Sequence, residues 1–65
     1  MTGTAGSAIR TIRQAMGLSA RDLAGLSGTS AGYLSEVERG GCVPSSYWLA
    51  AVTKALADHL GVVAA

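Results

Sequence analysis

At 65 residues with a single cysteine, the chain sits near the lower limit at which an apolar core can hold a monomer without disulfides, metal or a partner, so self-association is open. Cys42 has no internal disulfide partner and no Cys/His grouping has ligand spacing; no apolar run is long enough to span a membrane, and the N-terminus lacks the basic-then-apolar order of a signal peptide. Zinc, membrane and secretory classes are therefore set aside, and a cytoplasmic location is expected. Five basic against four acidic side chains leave a net charge of only +1. That is a weak footprint for a nucleic-acid partner, whose affinity rests largely on neutralised phosphates, so the placement of Arg10, Arg13, Arg21, Arg39 and Lys54 matters more than their total.

In chain order, Met1 to Gly3 reads as a loose end and Thr4 as the cap of a first helix. Ala5, Ala8, Ile9, Ile12 and Met16 recur at helical spacing, and Gly17 stands where a left-handed residue closes a helix. The pattern predicts an amphipathic helix that packs inward, with Arg10 and Arg13 on or beside its exposed side. Much of the apolar content is alanine and there is no phenylalanine, so a thin core is expected.

The stretch Ser19 to Gly40 predicts two short helices joined by a tight turn. Ser19 and Asp22 have the spacing of a capping box, and Leu18 with Leu23 that of the matching hydrophobic staple. Leu23 and Ala24 supply the buried side, while Arg21 and Asp22 fall in the first turn. Gly25 inside this helix costs roughly 1 kcal/mol against alanine, so tertiary packing must hold it. Gly28 ends it. The next helix starts at Thr29 or Ser30 and runs to Arg39, before Gly40 and Gly41 stop it. Leu34 and Val37 form its inward stripe, to which Tyr33 adds bulk; Ala31, Gly32, Ser35, Glu36 and Arg39 are left on the other side.

A short loop, Gly41-Cys42-Val43, leads to Pro44-Ser45, which introduces a fourth helix with serine as its cap. Leu49, Val52, Thr53, Leu56 and Leu60 predict its inward stripe. Tyr47 and Trp48 either cover the edge of the core or, one of them, form a subunit contact. His59, Gly61 and the tail Val62-Val63-Ala64-Ala65 end the helix or begin a short fifth one. An apolar tail on a small protein folds back or meets a partner, which makes Trp48, Val62 and Val63 candidate dimer contacts.

The run IRTIRQAMGLSARDLAGLSGTSAGYLSEVERG, followed by a proline and a further amphipathic helix, resembles the phage repressor and Cro (XRE-like) family of helix-turn-helix DNA-binding domains. The resemblance covers about Thr4 to Val62. It is carried by Gly17-Leu18-Ser19, Asp22-Leu23-Ala24, Gly28, Tyr33-Leu34-Ser35, Val37-Glu38-Arg39-Gly40 and Pro44-Ser45 in order. It implies an all-α fold, a four- to five-helix lambda-repressor-like domain with the helix-turn-helix at its centre, and double-stranded DNA as the partner.

Residue by residue, the resemblance implies that the recognition helix, about 30–39, enters the major groove and places Ala31, Gly32, Ser35 and Glu36 against base edges. Ala31 can meet a thymine methyl, Ser35 can donate or accept, and Glu36 can accept from a cytosine amino group while repelling phosphates. Ser19, Arg21, Ser30, Tyr33, Arg39, Ser45 and Ser46 match positions that meet the DNA backbone; each serine has simple capping as its other reading, and Tyr33 has core packing. Arg13 matches an arginine that pairs with the glutamate at Glu38, a structural tie rather than a DNA contact. The family's usual glutamine at the start of the second helix is Ala20 here.

One histidine, one cysteine and no phosphate loop assemble no constellation for catalysis, so no enzymatic activity, cofactor, metal or small-molecule ligand is expected. Two readings stand: a sequence-specific DNA-binding regulator, repressor or Cro-like, acting as a homodimer on two half-sites, and a protein-interaction module that keeps the fold with little base readout.

Overall fold

Serine caps and glycine stops set most of the helix boundaries. In a computed structural model of the chain, which describes residues 5–61, α1 spans Ala5–Ala15, α2 Ala20–Ser27, α3 Ala31–Glu38 and α4 Ser46–Leu60. All regular structure among the described residues is helical, and no helix is long and apolar enough to cross a membrane. The expected Thr4 cap, the fifth helix and the contacts of Val62 and Val63 lie outside the described residues.

Ser19, Ser30 and Ser45 precede α2, α3 and α4 in extended conformation, and their hydroxyls accept the backbone N–H groups of Asp22, Tyr33 and Trp48. Of the two candidates for the α3 cap, Ser30 takes the role. At α2 the Asp22 carboxylate accepts the Ser19 N–H at 3.1 Å in return, the reciprocal arrangement that satisfies two otherwise unpaired donors. The hydrogen bonds with the Ser19 backbone, and then with its hydroxyl, hold the Asp22 carboxyl below its ordinary value of 3.8. A depressed folded-state pKa adds stability that is fully present above the ordinary value and is lost as pH falls through the folded one. Thermal melting of the native chain beside Asp22→Asn should therefore show a gap between the two that closes below about pH 4; a gap that stays constant down to strong acid would mean the ionised carboxylate contributes nothing.

The connection between α2 and α3 needs a left-handed residue, and Gly28 supplies it at φ 74°, ψ 27°. Its N–H and that of Thr29 both return to the Ala24 carbonyl, closing the helix end in a geometry that a Cβ disfavours. Only residues 28–30 separate the two helices, so the chain reverses at once and α3 is laid across α2.

Every helix contributes to one core. Ile9 comes from α1, Leu23 and Ala24 from α2, Leu34 from α3, and Val52, Ala55 and Leu56 from α4; Leu23, Leu34 and Val52 are shielded completely. Val37 of α3 is also buried, against the start of α1. There Gly6 allows a close approach: a Cβ on it would collide with the carbonyl group of Val37 and crowd the Glu38 Cα. An apolar-periodicity reading of α1 passes over Gly6, because its contribution is the absence of a side chain.

Three expectations about facing need correction. On α4 the buried face is Val52, Ala55 and Leu56, whereas Thr53 is exposed and Leu60 is 63% exposed. For Leu60 the reason is length: α4 runs about 22 Å and α2 about 12 Å at 1.5 Å per residue, so the last turn of α4 overhangs the core; Thr53 lies mid-helix and is turned to the open side between α1 and α4. On α1, Ile9 is buried but Ala5, Ala8 and Ile12 are exposed. Ile12, Met16, Leu49, Thr53 and Leu60 instead line an open apolar groove of about 460 Å³ between α1 and α4. On α3, Leu34 and Val37 fill the inward stripe, and Tyr33, one position round the helix, is left 38% exposed at its edge.

Candidate nucleic-acid interface

Tyr33 and Trp48 occupy the same place in their helices, the third residue after the capping serine. Their rings meet edge to face, with centroids 5.2 Å apart and planes at 78°, a favoured quadrupolar arrangement. The Trp48 indole Nε1–H donates to Thr29 Oγ1 at 3.0 Å, so the first turn of α4 is braced against the turn that precedes α3. These two contacts hold the N-terminal turns of α3 and α4 side by side. Trp48 is thereby half-buried and packed on the core, while Tyr47 beside it is 86% exposed.

At this junction the structure gathers Ser30, Tyr33, Ser45 and Ser46. Ser30, Ser45 and Ser46 are exposed; the Ser30 and Ser45 oxygens each accept one cap bond at 3.1 Å, which leaves each hydroxyl proton free to donate outward. Neither α3 nor α4 has an acidic residue in its first turn, so the positive ends of both helix dipoles are unopposed, as anion binding requires. The Tyr33 phenol lies beside the Cys42 thiol; desolvation, and then the hydrogen bond with Cys42, push its pKa above the ordinary 10.0. It is therefore a neutral O–H donor at physiological pH.

Ser19 and Arg21, at the start of α2, are differently placed. Both are exposed, but the Asp22 carboxylate already occupies the Ser19 N–H and sets a negative charge in that first turn. Arg39 stands at the far end of α3, about 14 Å from Ser30 at the helical rise. Between the ends, the outward surface of α3 is made of Gly32, which is exposed, and of Ala31, Ser35 and Glu36, which are half-buried. Ala31 also packs against the core, so it faces outward less fully than the sequence pattern implies.

A helix-turn-helix domain family model matches residues 5–65. The chain belongs to the helix-turn-helix domain family. Comparison with curated proteins and with solved structures gives no match.

In this helix-turn-helix domain the pair α2–α3 is tied to α1 by a shielded ion pair. Arg13 donates from Nε to Glu38 Oε2 at 2.8 Å and from Nη2 to Oε1 at 2.9 Å, and its Nη1 donates to the Leu18 carbonyl at 2.9 Å. Both side chains are nearly excluded from solvent, at 11% and 6% exposure. The hydrogen bonds that Arg13 donates to Glu38 raise the guanidinium's pKa further, against the opposing effect of burial. One arginine thus fixes the end of α1, the loop before α2 and the end of α3.

The remaining cations divide. Arg39 is held by Glu36 three residues earlier, and Lys54 by Asp58 four residues later, both pairs exposed; among the described residues Arg10 and Arg21 make no ion pair. Exposed pairs of this kind are weak, so Arg39 and Lys54 can be taken over by a phosphate, whereas Arg13 cannot. No group of three or more His, Cys, Asp and Glu among the described residues could hold a metal ion. Sequence reasoning missed Thr29 as a brace and Gly41 as a neighbour of the Glu36 carboxylate. Thr29 lies 19 residues from Trp48, and no local signal links them.

Proposed function

We propose that this helix-turn-helix domain is a sequence-reading regulator that binds double-stranded DNA, of the phage repressor and Cro type, and acts as a homodimer on two half-sites about one helical turn apart. The observation that carries the reading is the α3–α4 junction, where two acid-free helix N-termini with exposed serine hydroxyls stand side by side at the head of α3. One phosphate strand is held there by Ser30, Tyr33, Ser45 and Ser46, with Arg39 and Arg21 as further backbone contacts. This registers Ala31, Gly32, Ser35 and Glu36 against base edges in the major groove. The first turn of α3 contributes shape rather than hydrogen bonds, because Ala31 and Gly32 permit close approach of the helix backbone. Val62 and Val63 supply apolar contact between the two copies, while Trp48 is engaged within its own domain by Tyr33 and Thr29.

Selection from a pool of random duplexes at two salt concentrations tests the proposal. A palindromic motif supports it; retention without a motif, lost at higher salt, leaves backbone binding alone. Arg39→Ala is expected to weaken binding on all sequences and to reduce the slope of log K against log salt by about 0.9, one phosphate contact. An unchanged slope removes Arg39 from the interface.

The open apolar groove between α1 and α4 favours the second reading, a protein-interaction module with little base readout. No duplex retained at either salt concentration would select it.

A further inference from the structure

On the outward side of α3 the one charged group within the proposed base-contacting set is Glu36, an acid in a surface that has to approach a polyanion. Its carboxylate is not loose. One oxygen accepts from Arg39 Nη2, and the other lies against Gly41, so closely that a Cβ built on Gly41 would overlap it. Gly41 has no positive φ, so its backbone does not require glycine; what the missing side chain leaves is room for the carboxylate. Glu36 and Arg39 are nonetheless 47% and 62% exposed, so the pair can be opened from solvent.

We propose that Glu36, Arg39 and Gly41 form a latch that couples phosphate engagement to base identity, with Glu36 as the specificity-determining side chain of the duplex interface. This rests on the DNA-binding reading given above. In the free domain Glu36 neutralises Arg39 and is seated on Gly41. When a DNA phosphate takes Arg39, the carboxylate loses its donor beside a negatively charged strand and must find another. Cytosine offers a bare N4 amino donor in the major groove; adenine's amino group stands next to the N7 acceptor, and guanine and thymine present O6, N7 or O4 acceptors to the site. A cytosine at that position repairs the loss, and any other base leaves the carboxylate unpaired against acceptors or phosphates. A latch of this kind gives discrimination by penalty, in a helix whose other outward residues are too small or too neutral for bidentate contacts.

The test compares the native chain with Glu36→Gln, Arg39→Ala and Gly41→Ala by selection from random duplexes and by titration of the selected and of unselected duplex. Thermal melting checks that each variant is folded. The native chain is expected to require cytosine at one position per half-site. Glu36→Gln should bind unselected duplex roughly tenfold more tightly and accept any base there, while its preferences at other positions persist. Gly41→Ala keeps every charge but evicts the carboxylate from its seat, so affinity should rise severalfold on all duplexes with the cytosine preference retained. Arg39→Ala should weaken binding on all sequences. If Glu36→Gln selects the same motif as the native chain, or binds unselected duplex no better, the latch is wrong while the DNA-binding reading stands. If Gly41→Ala leaves affinity unchanged, the seat has no role and the latch fails. If the native chain retains no duplex, the underlying reading fails and the latch with it.

Discussion

Glu38→Ala is expected to cost about 3–5 kcal/mol of folding stability. The variant leaves the Arg13 guanidinium almost excluded from solvent, at 11% exposure, with the Leu18 carbonyl as its remaining acceptor. Nearly all of the loss comes from stranding that charge, not from the worth of the pair, because removing both charges from water already consumes most of their mutual attraction. A domain of this size has a total stability of roughly 3–10 kcal/mol, so a large fraction of the variant should be unfolded at room temperature. Urea denaturation followed by circular dichroism reads the effect directly. Replacing both partners, Arg13→Met with Glu38→Leu, should recover most of it. A loss below about 1 kcal/mol for the single variant would mean that the pair behaves like an exposed one.

Gly6→Ala should destabilise by about 3 kcal/mol, the upper end of the range for overpacking, although it adds a single methyl group. Ordinarily glycine to alanine inside a helix is favourable. Here the new Cβ would run into the carbonyl group of Val37 and the Cα of Glu38, and these atoms belong to the backbone of α3, which cannot rotate aside as a side chain would. Relief requires α1 to move away from the end of α3, which lengthens the Arg13–Glu38 hydrogen bonds at the same junction. With a shift of roughly 4–8 °C per kcal/mol for a domain this small, the melting temperature should fall by well over 10 °C. Gly25→Ala provides the contrast: nothing lies within 4 Å of a Cβ there, and stability should rise. Equal behaviour of the two variants would show that helix propensity, and not the α1–α3 approach, governs position 6.

The limits of sequence reading appear at particular residues. The capping box at Ser19 and Asp22, and the stops at Gly17, Gly28 and Gly40, are legible because each acts within a few residues of itself. The burial of Leu23, Leu34 and Val52 follows from spacing along single helices. Leu60 repeats at the right interval and yet stays outside, because periodicity states which face a residue is on but not how far the neighbouring helix extends; Thr53, mid-helix, stays outside because α1 and α4 leave an open groove along that edge. In the proposed interface, the outward placement of Gly32, Ser35 and Glu36 could be anticipated, whereas the juncture of the α3 and α4 N-termini could not.

By itself, then, the sequence determined the four helices of the described residues, most of their ends, and a tight turn that forces two of them into a helix-turn-helix, since these depend on local hydrogen bonds and on the intrinsic conformations of serine and glycine. The tertiary structure alone decided that Trp48 braces Thr29, that Gly6 admits α3, and that Arg39 is held by a glutamate seated on glycine, whereas the Arg13–Glu38 pair was already implied by the family resemblance. Most of those contacts join residues 19 to 31 positions apart, where the energy depends on how whole helices pack. The Arg39–Glu36 pair is local in sequence, but its seat at Gly41 exists only once the chain has turned out of α3.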